Sequence, residues 1–146
     1  MKITLKNGEL NAAINFLSSM ELRGMEKSRQ RSKLRDLLLL AAKEYQESQR
    51  EIFEKHGRKD SSGELVINKE KNGYEIKKES QQEYREDMIT LLLEEVVIDG
   101  GIHANLISGF RETLADYDGI LSGENADIYD RLMDEFEKEE NQDVKD

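Results

Sequence analysis

The order of hydrophobic and polar residues predicts a mainly helical chain that opens with a short strand. Residues 2–5 alternate between polar and apolar side chains, a pattern typical of a strand with one buried face. Asn7 is expected to cap a first helix over about 8–20, where apolar residues recur every three or four positions. A second, long helix is predicted over about 26–56, with Gly57 at the C′ position just after its C-terminus.

The middle of the chain predicts a hairpin, a third helix and a second strand. Two alternating runs, 64–68 and 74–77, are separated by a polar segment and therefore predict a β-hairpin. Ser80 stands three residues before a glutamate, which is the spacing of a capping box that opens a helix. The β-branched run 96–98 predicts a buried strand, and we expect it to pair with residues 2–5.

The last third of the chain predicts two helices. Their ranges are about 102–117 and 124–140, and a turn containing glycine separates them. Apolar residues from Ile102 onward are expected to face inward on the first of these helices. The complete pattern therefore predicts an α+β, mainly helical fold of about five helices, with a β-hairpin and a small accessory sheet.

The predicted elements follow one another without an internal repeat or a linker, so we expect residues 1–146 to form a single domain. Within it, residues 1–100 are expected to form an α+β body and residues 101–140 a C-terminal helix pair. The polar segment 141–146 is expected to fray.

Composition restricts the expected cellular location of the protein and the kinds of reactive or metal-binding site that it can contain. The chain has no cysteine, which excludes disulfides, thiolate metal sites and cysteine nucleophiles. No apolar run approaches the roughly 18 residues of a membrane span, and the N-terminus lacks the pattern of a signal peptide. We therefore expect a cytoplasmic protein that does not associate with a membrane.

Charge is distributed unevenly along the chain. The net charge is −10, yet residues 1–60 carry 13 basic and 9 acidic side chains, whereas residues 61–146 carry 9 basic and 23 acidic ones. The basic side chains include a strip at the start of the second helix: Lys27, Arg29, Arg31, Lys33 and Arg35. This strip is either a solvated face neutralised by the acidic half of the chain or a contact for another protein. Nucleic acid is the least favoured partner, because no aromatic residue is interleaved to stack on a base.

The acidic C-terminal region supplies the second candidate surface. Residues 109–146 carry 13 acidic and 4 basic side chains, and Asp130, Asp134 and Glu137 follow helical spacing. Such a surface either solubilises the helix or imitates the phosphates of nucleic acid in the basic groove of a partner.

In the predicted second helix, the four leucines of Leu37–Leu40 cover more than half of the helix circumference. A contact between copies of the chain through these leucines, as in a homo-oligomer, is therefore a further hypothesis.

No pattern of catalytic or ligand-binding residues emerges from the sequence. The segment 116–119 resembles the start of a calcium loop but places its glycine and its acidic residues at the wrong positions. His56 and His103 have no second histidine at ligand spacing, and we expect structural roles for both. Glu94, Glu95 and Asp99 lie close in sequence without forming a defined acid–base pair. We expect no cofactor, no metal and no enzymatic activity, with a distributed active site as the least favoured alternative.

Several segments in a fixed order resemble a known protein family. They are the opening segment 1–10, Leu22-Arg-Gly24, the basic segment 28–33, the segment 54–60 with Gly63 and the hairpin, and Leu121-Ser-Gly-Glu124 running into residues 128–132. Together they are similar to a family of small uncharacterised proteins, a domain of unknown function encoded by phages and prophages of low-GC Gram-positive bacteria. The resemblance implies a phage or prophage origin and supplies no catalytic residue.

These observations favour a non-enzymatic protein–protein interaction module that acts in virion assembly or in takeover of the host. Its partner would be a phage structural protein or a host protein, and the basic strip and the acidic side chains Asp130, Asp134 and Glu137 would form the contacts. The alternative is an acidic inhibitor that imitates nucleic acid and blocks a host defence nuclease.

Overall fold

A computed structural model describes residues 1–70 and 73–145, and side chains as far as residue 141. Its helices are α1 (Leu10–Ser19), α2 (Met25–His56), α3 (Gln81–Leu93), α4 (Ala104–Ser108), α5 (Phe110–Ala115) and α6 (Glu124–Lys145). Its strands are β1 (Lys2–Lys6), β2 (Ile67–Asn68), β3 (Gly73–Tyr74) and β4 (Glu95–Asp99). The predicted mainly helical α+β fold is thereby confirmed. No helix in the described part of the chain is long and apolar enough to cross a membrane.

The chain divides into two compact units. The first unit contains residues 1–42 together with 95–146, and the second contains residues 43–94. Helix α2 contributes residues to both, because its range runs from Met25 to His56.

The small sheet of the first unit confirms the predicted pairing of the N-terminal strand with the middle of the chain. β1 and β4 are antiparallel, with Ile3 opposite Ile98 and Thr4 opposite Val97. Ile3, Leu5 and Ile98 are buried on one face of this sheet, whereas Val97 is 59 % exposed on the other. The expectation that the whole 96–98 run is buried is therefore wrong, because a two-stranded sheet covered on one face leaves alternate residues in solvent.

The core of the first unit forms around the apolar faces of α1, α5 and α6. Phe16 of α1 makes edge-to-face contacts with Tyr117 and Tyr129, at ring-centroid distances of 6.1 and 6.0 Å. The innermost side chains of the three helices, all less than 6 % exposed, are Leu10, Ala13, Phe16, Leu17, Phe110, Leu114, Ile128, Leu132 and Phe136. Their three- and four-residue spacing is the periodicity that predicted the helices.

Asn7 does not occupy the N-cap position of α1, and the side chain of Ser80 does not cap α3. Asn7 is buried within a 3-10 turn over Asn7–Glu9 that precedes α1. Ser80 closes a similar turn over Lys78–Ser80, and its side chain makes no capping hydrogen bond to α3. A capping side chain requires an extended backbone at its own position, and Ser80 already has helical dihedral angles.

Gly57 follows α2 as predicted, but it does not serve as a left-handed C′ residue. Its φ is not positive, and its backbone bridges to Ile76. A β-carbon at this position would collide with the carbonyl oxygen of Phe53 and the side chain of Leu65. The glycine is therefore required for close approach rather than for an unusual backbone conformation.

The second unit contains the predicted hairpin in a shortened form. β2 and β3 are antiparallel, with Ile67 opposite Tyr74. Additional backbone hydrogen bonds tie Val66 to Arg58 and Glu75 to Val66, so the segment that leaves α2 joins the hairpin. The predicted loop includes residues 71–72, which lie outside the described residues.

Three further expectations for the C-terminal helices are corrected. The predicted helix 102–117 is split at Gly109, where a β-carbon would lie 2.6 Å from the Gln30 amide nitrogen. Ile102 does not face inward but is 95 % exposed, because it lies in a 3-10 turn before α4 begins. The last helix continues to Lys145, beyond the predicted end at 140 and into the segment 141–146. Asp146 lies outside the described residues.

Candidate interaction surfaces

The basic strip on α2 is divided between exposed and structurally engaged side chains. Lys27 and Arg29 are exposed, whereas Lys33 and Arg35 are half-buried. Arg31 donates hydrogen bonds to the carbonyl oxygens at the end of α1, at 3.1 Å to Leu17 and 2.9 Å to Met20. Since the last carbonyls of a helix lack partners within the helix, Arg31 stabilises the C-terminus of α1 and is not free for another molecule.

The predicted acidic surface lies along the outer face of α6. Its exposed carboxylates belong to Asp127, Asp130, Asp134 and Glu137, and the opposite face of the helix packs into the core. Within the described part of the chain, none of these four carboxylates lies within 4 Å of a basic group. Among the same residues, the charged groups of Lys27, Arg29 and Lys33 have no carboxylate within 4 Å. Direct ion pairing between the two surfaces therefore does not neutralise either of them.

A second set of charged residues on α6 has a structural role that the sequence did not indicate. The carboxylate of Glu135 accepts a hydrogen bond from the backbone amide of Thr4 at 2.9 Å, and it also accepts one from Arg131 at 2.7 Å. Arg131 in turn donates to the carbonyl of Thr4 at 3.0 Å and pairs with Glu9 at 3.0 Å. These side chains satisfy the edge of β1 that faces away from β4, where a strand would otherwise be exposed.

The environment of Glu135 favours its ionised form. Burial by itself raises the pKa of Glu135, since its side chain is 8 % exposed. Hydrogen bonds from Arg131, Thr4 and Lys138 outweigh burial and hold the pKa below its ordinary value. The carboxylate is thus a fixed negative charge within a network that joins α6 to β1.

The second unit contains a concavity beside the hairpin. Three aromatic side chains from three elements meet there: the ring of Phe53 lies 4.9 Å from that of Tyr74 and 5.8 Å from that of Tyr84, measured between centroids. The concavity has a volume of about 570 Å³. Its polar lining comes from Arg58, Asn68, Glu75, Lys78 and Gln81. Near it the hairpin exposes Tyr74 and also Ile67, which is 62 % exposed. We call this surface the hairpin concavity.

His56 pairs with an aspartate in the second unit. Its Nε2 lies 2.7 Å from the Oδ2 of Asp87, and Lys55 approaches the same oxygen at 3.5 Å. The His56 side chain is only 2 % exposed and its ring packs edge-on against Tyr84. This burial closes the imidazole to a substrate, so the pair joins the end of α2 to α3 rather than forming an accessible base.

The pair predicts a loss of stability in acid. The hydrogen bond from His56 is the largest cause that lowers the pKa of Asp87 below its ordinary value. An acid with a lowered pKa stabilises the fold above its unfolded-state pKa, and this contribution disappears as the pH falls through the folded-state pKa. The stability difference between wild type and Asp87→Asn is therefore expected to be fully present above the ordinary pKa of an aspartate and to shrink as the pH falls through the lowered folded-state pKa of Asp87.

Urea unfolding followed by circular dichroism at a series of pH values measures this difference. Asp118→Asn is the matched control, because that aspartate is exposed and has no ion pair within the described residues. A constant difference between wild type and Asp87→Asn at every pH would contradict the assigned role of Asp87.

Comparison with known protein families assigns the chain to one of them. Residues 1–143 match the family described as "Protein of unknown function (DUF1617)". The chain belongs to this family. No curated protein and no solved structure shows significant similarity to it. The predicted resemblance to a domain of unknown function is confirmed, while the phage and Gram-positive origin stays a prediction.

The DUF1617 match extends over all the surfaces described above, from β1 to the acidic face of α6. Within the described residues of this family member, no group of three or more histidine and acidic side chains is arranged to hold a metal ion. His103 is half-buried in a 3-10 turn, and Glu95 and Asp99 are exposed at the ends of β4. The DUF1617 chain also exposes Leu39 and Leu40, while the neighbouring Leu38 is fully buried.

Sequence reasoning missed the hairpin concavity of this DUF1617 protein. Phe53, Tyr74 and Tyr84 are far apart in the sequence and lie in three different predicted elements, the second helix, the hairpin and the third helix. The signal that could have found them is the predicted hairpin itself, because it brings an aromatic strand residue back towards the end of α2. Sequence reasoning also missed the roles of Arg131 and Glu135, because both contact the backbone of Thr4, more than 100 residues away in β1.

Proposed function

We propose that the protein is a non-enzymatic protein-binding module of phage or prophage origin, acting in the cytoplasm of its bacterial host. The hairpin concavity carries this proposal as the surface that receives a side chain of the partner. The phage origin rests on the ordered segments that resemble such a family, beginning with residues 1–10. We place the activity in virion assembly or host takeover, as the sequence favoured.

The composition of the hairpin concavity is that of an interaction hot spot. Tyrosine, phenylalanine and arginine are enriched in protein interfaces, and a few such residues supply most of the binding free energy. Tyr74 is 39 % exposed, so part of its ring is available to bury against a partner. Arg58 and Glu75 form an ion pair of 3.1 Å beside it, with side chains 66 % and 33 % exposed. A pair this exposed costs little to rearrange on binding.

The charged surfaces of the first unit support binding in a different way. Lys27 and Arg29 on α2, and Asp130, Asp134 and Glu137 on α6, are exposed without described ion-pair partners. Unpaired surface charge increases the rate of association with a partner of complementary charge and is screened by salt. We therefore assign affinity to the hairpin concavity and orientation to the charged surfaces.

Affinity capture from host cells during phage infection tests the proposal. Tagged wild type and Tyr74→Ala would be compared at about 0.15 M and about 0.5 M salt, with bound proteins identified by mass spectrometry. Wild type is expected to retain a defined phage or host protein, and binding of that purified partner is expected to weaken at least about tenfold in Tyr74→Ala.

The matched control is Ile120→Ala. Ile120 is 93 % exposed and lies outside the hairpin concavity, so its replacement removes exposed apolar surface without altering that concavity. Equal binding by wild type and Tyr74→Ala would assign the contact to another surface. Recovery of the tagged protein alone would contradict the proposed function.

The second candidate function is an acidic inhibitor of a host defence nuclease. It is favoured by one observation: Asp130, Asp134 and Glu137 are exposed on one helix face and have no ion-pair partner among the described residues. Such a row of carboxylates can occupy a groove that binds phosphates. This candidate predicts that changing all three to lysine abolishes inhibition of the nuclease.

A charge-matched control separates this effect from a change in net charge. Glu79, Glu83 and Glu86 are exposed in the second unit, and changing them to lysine alters the net charge by the same amount. Equal loss of inhibition in both triple variants would reduce the effect to general electrostatics. Full inhibition by the α6 triple variant would exclude the mimicry.

A further inference from the structure

The two edges of the β1–β4 sheet differ in how their backbone groups are satisfied. At the outer edge of β1, the amide of Thr4 donates to Glu135, and its carbonyl accepts from Arg131. The amide of Lys6 donates to Glu9 at 2.8 Å. This edge is therefore occupied by side chains, which closes it to another strand.

At the opposite edge, formed by β4, outward backbone groups have no hydrogen-bond partner among the described residues. Because the amide and carbonyl of Thr4 face away from β4, Thr4 and Val97 form a non-hydrogen-bonded pair. The alternation of an antiparallel ladder then directs the backbone groups of Glu95, Val97 and Asp99 away from β1. The Gly100 amide donates a hydrogen bond to the Met1 carbonyl, which agrees with this alternation of hydrogen-bonded and non-hydrogen-bonded pairs. Among the described residues, no strand pairs with this edge of β4.

The side chains of these three residues define what can pair there. Glu95, Val97 and Asp99 are all exposed, and Val97 is 59 % exposed despite its apolar side chain. Neither Glu95 nor Asp99 belongs to an ion pair within the described residues. The edge therefore offers one apolar contact between two negative charges that form no ion pair within 4 Å among the described residues.

A second copy of the chain is a poor occupant of this edge. Antiparallel pairing of two β4 strands about Val97 would place Glu95 of each copy opposite Asp99 of the other. Like charges directly opposite each other across a sheet are destabilising. The two carboxylates thus protect the edge from self-association while leaving it open to a strand of opposite charge.

We propose that the free edge of β4 binds an extended segment of a partner protein that carries basic residues four positions apart around a small or apolar residue. Such a segment places its two basic side chains opposite Glu95 and Asp99, and its backbone completes the hydrogen bonds of Val97. β1 already pairs with β4 by this pattern, with Lys2 opposite Asp99, Thr4 opposite Val97 and Lys6 opposite Glu95. Addition of a strand to a free sheet edge is an established mode of peptide recognition.

This interaction surface goes beyond the proposed function and does not depend on it. It lies in the first unit, whereas the hairpin concavity lies in the second. Binding at either surface can fail while binding at the other persists.

The test uses the full chain and the synthetic peptide Lys-Val-Thr-Val-Lys, blocked at both ends, with Glu-Val-Thr-Val-Glu as the charge-inverted control. Nuclear magnetic resonance of backbone amides would follow titration and hydrogen exchange. The basic peptide is expected to shift the Val97 amide and slow its exchange while leaving the amides of Ile3 and Leu5 unchanged. The acidic peptide is expected to bind at least about tenfold more weakly.

Two protein variants make the test specific. Val97→Pro removes the outward amide without removing a hydrogen bond to β1, so it is expected to abolish peptide binding, whereas Val97→Thr is expected to preserve it. The combined change Glu95→Lys with Asp99→Lys keeps the backbone intact and is expected to reverse the preference between the two peptides. This second variant decides the question even if the proline variant does not fold.

Several outcomes would overturn the proposal. They are equal binding of the two peptides, no response at Val97, or changes at Ile3 and Leu5 that indicate displacement of β1. A concentration-dependent dimer in which the Val97 amide is protected without peptide would instead assign the edge to a second copy of the chain.

Discussion

Phe16→Ala is expected to lower the free energy of unfolding by about 4 kcal/mol. Phe16 is 1 % exposed and its ring makes edge-to-face contacts with Tyr117 and Tyr129 in the core of the first unit. Truncation removes the buried ring and leaves a cavity that the surrounding aromatic side chains cannot fill completely. It also removes both aromatic contacts. Urea unfolding followed by far-ultraviolet circular dichroism measures the change.

Two further variants calibrate this prediction. Ile120→Ala removes a side chain that is 93 % exposed and is expected to change the stability by less than about 0.5 kcal/mol. Phe16→Leu keeps most of the apolar volume and is expected to cost less than the alanine variant. A Phe16→Ala protein within about 1 kcal/mol of wild type would contradict the assignment of Phe16 to the core.

Arg131→Met is expected to cost about 3 kcal/mol of stability. The substitution retains an apolar side chain but leaves the carboxylate of Glu135, 8 % exposed, without its guanidinium partner. It also removes the hydrogen bond to the carbonyl of Thr4 at the outer edge of β1. Breaking a largely buried ion pair by removing one partner is destabilising because the remaining charge stays poorly solvated.

Lys138→Met provides the matched control for Arg131. Lys138 approaches the same carboxylate at 3.0 Å, but its side chain is 69 % exposed, so its loss is expected to cost less than about 1 kcal/mol. Adding Glu135→Gln to Arg131→Met removes the unpaired charge and is expected to recover part of the stability. Equal effects of the arginine and lysine variants would contradict the structural role of the Arg131–Glu135 pair.

Charged residues on the two faces of α6 have different surroundings. The inner charged residues, Arg131 and Glu135, close one edge of the sheet, while the outer residues Asp130 and Asp134 have no described ion-pair partner. Neighbours in the sequence thus have different surroundings, because successive helical residues point about 100° apart. Charge counting along the chain cannot separate these surroundings.

The sequence by itself determined which segments became helices and strands. Apolar residues spaced by three or four positions predicted α1, α2 and α6, since such spacing gives a helix one face to bury. The alternation in residues 2–5 and the β-branched run 96–98 predicted β1, β4 and their pairing. The helix and strand patterns are local signals that can be recognised without knowledge of the packing, whereas the pairing of β1 with β4 joins segments that are distant in the sequence.

Details at the element ends were decided by packing. The sequence could not indicate that Gly57 is needed for space beside Phe53 and Leu65, or that Gly109 meets Gln30. In both cases the neighbouring atoms come from other turns or other elements, so the sequence around the glycine contains no record of them. The same limit explains why Ile102, apolar and near a helix start, was wrongly expected to be buried.

The candidate surfaces were decided almost entirely by tertiary structure. The exposed carboxylates of α6 follow from sequence, because a helix that buries one face must present the other to solvent. The hairpin concavity and the closed edge of β1 do not, because each joins side chains that are distant along the chain. Hydrophobic periodicity fixes which face of an element is buried, whereas the polar groups that meet around that face are set only when the elements pack together.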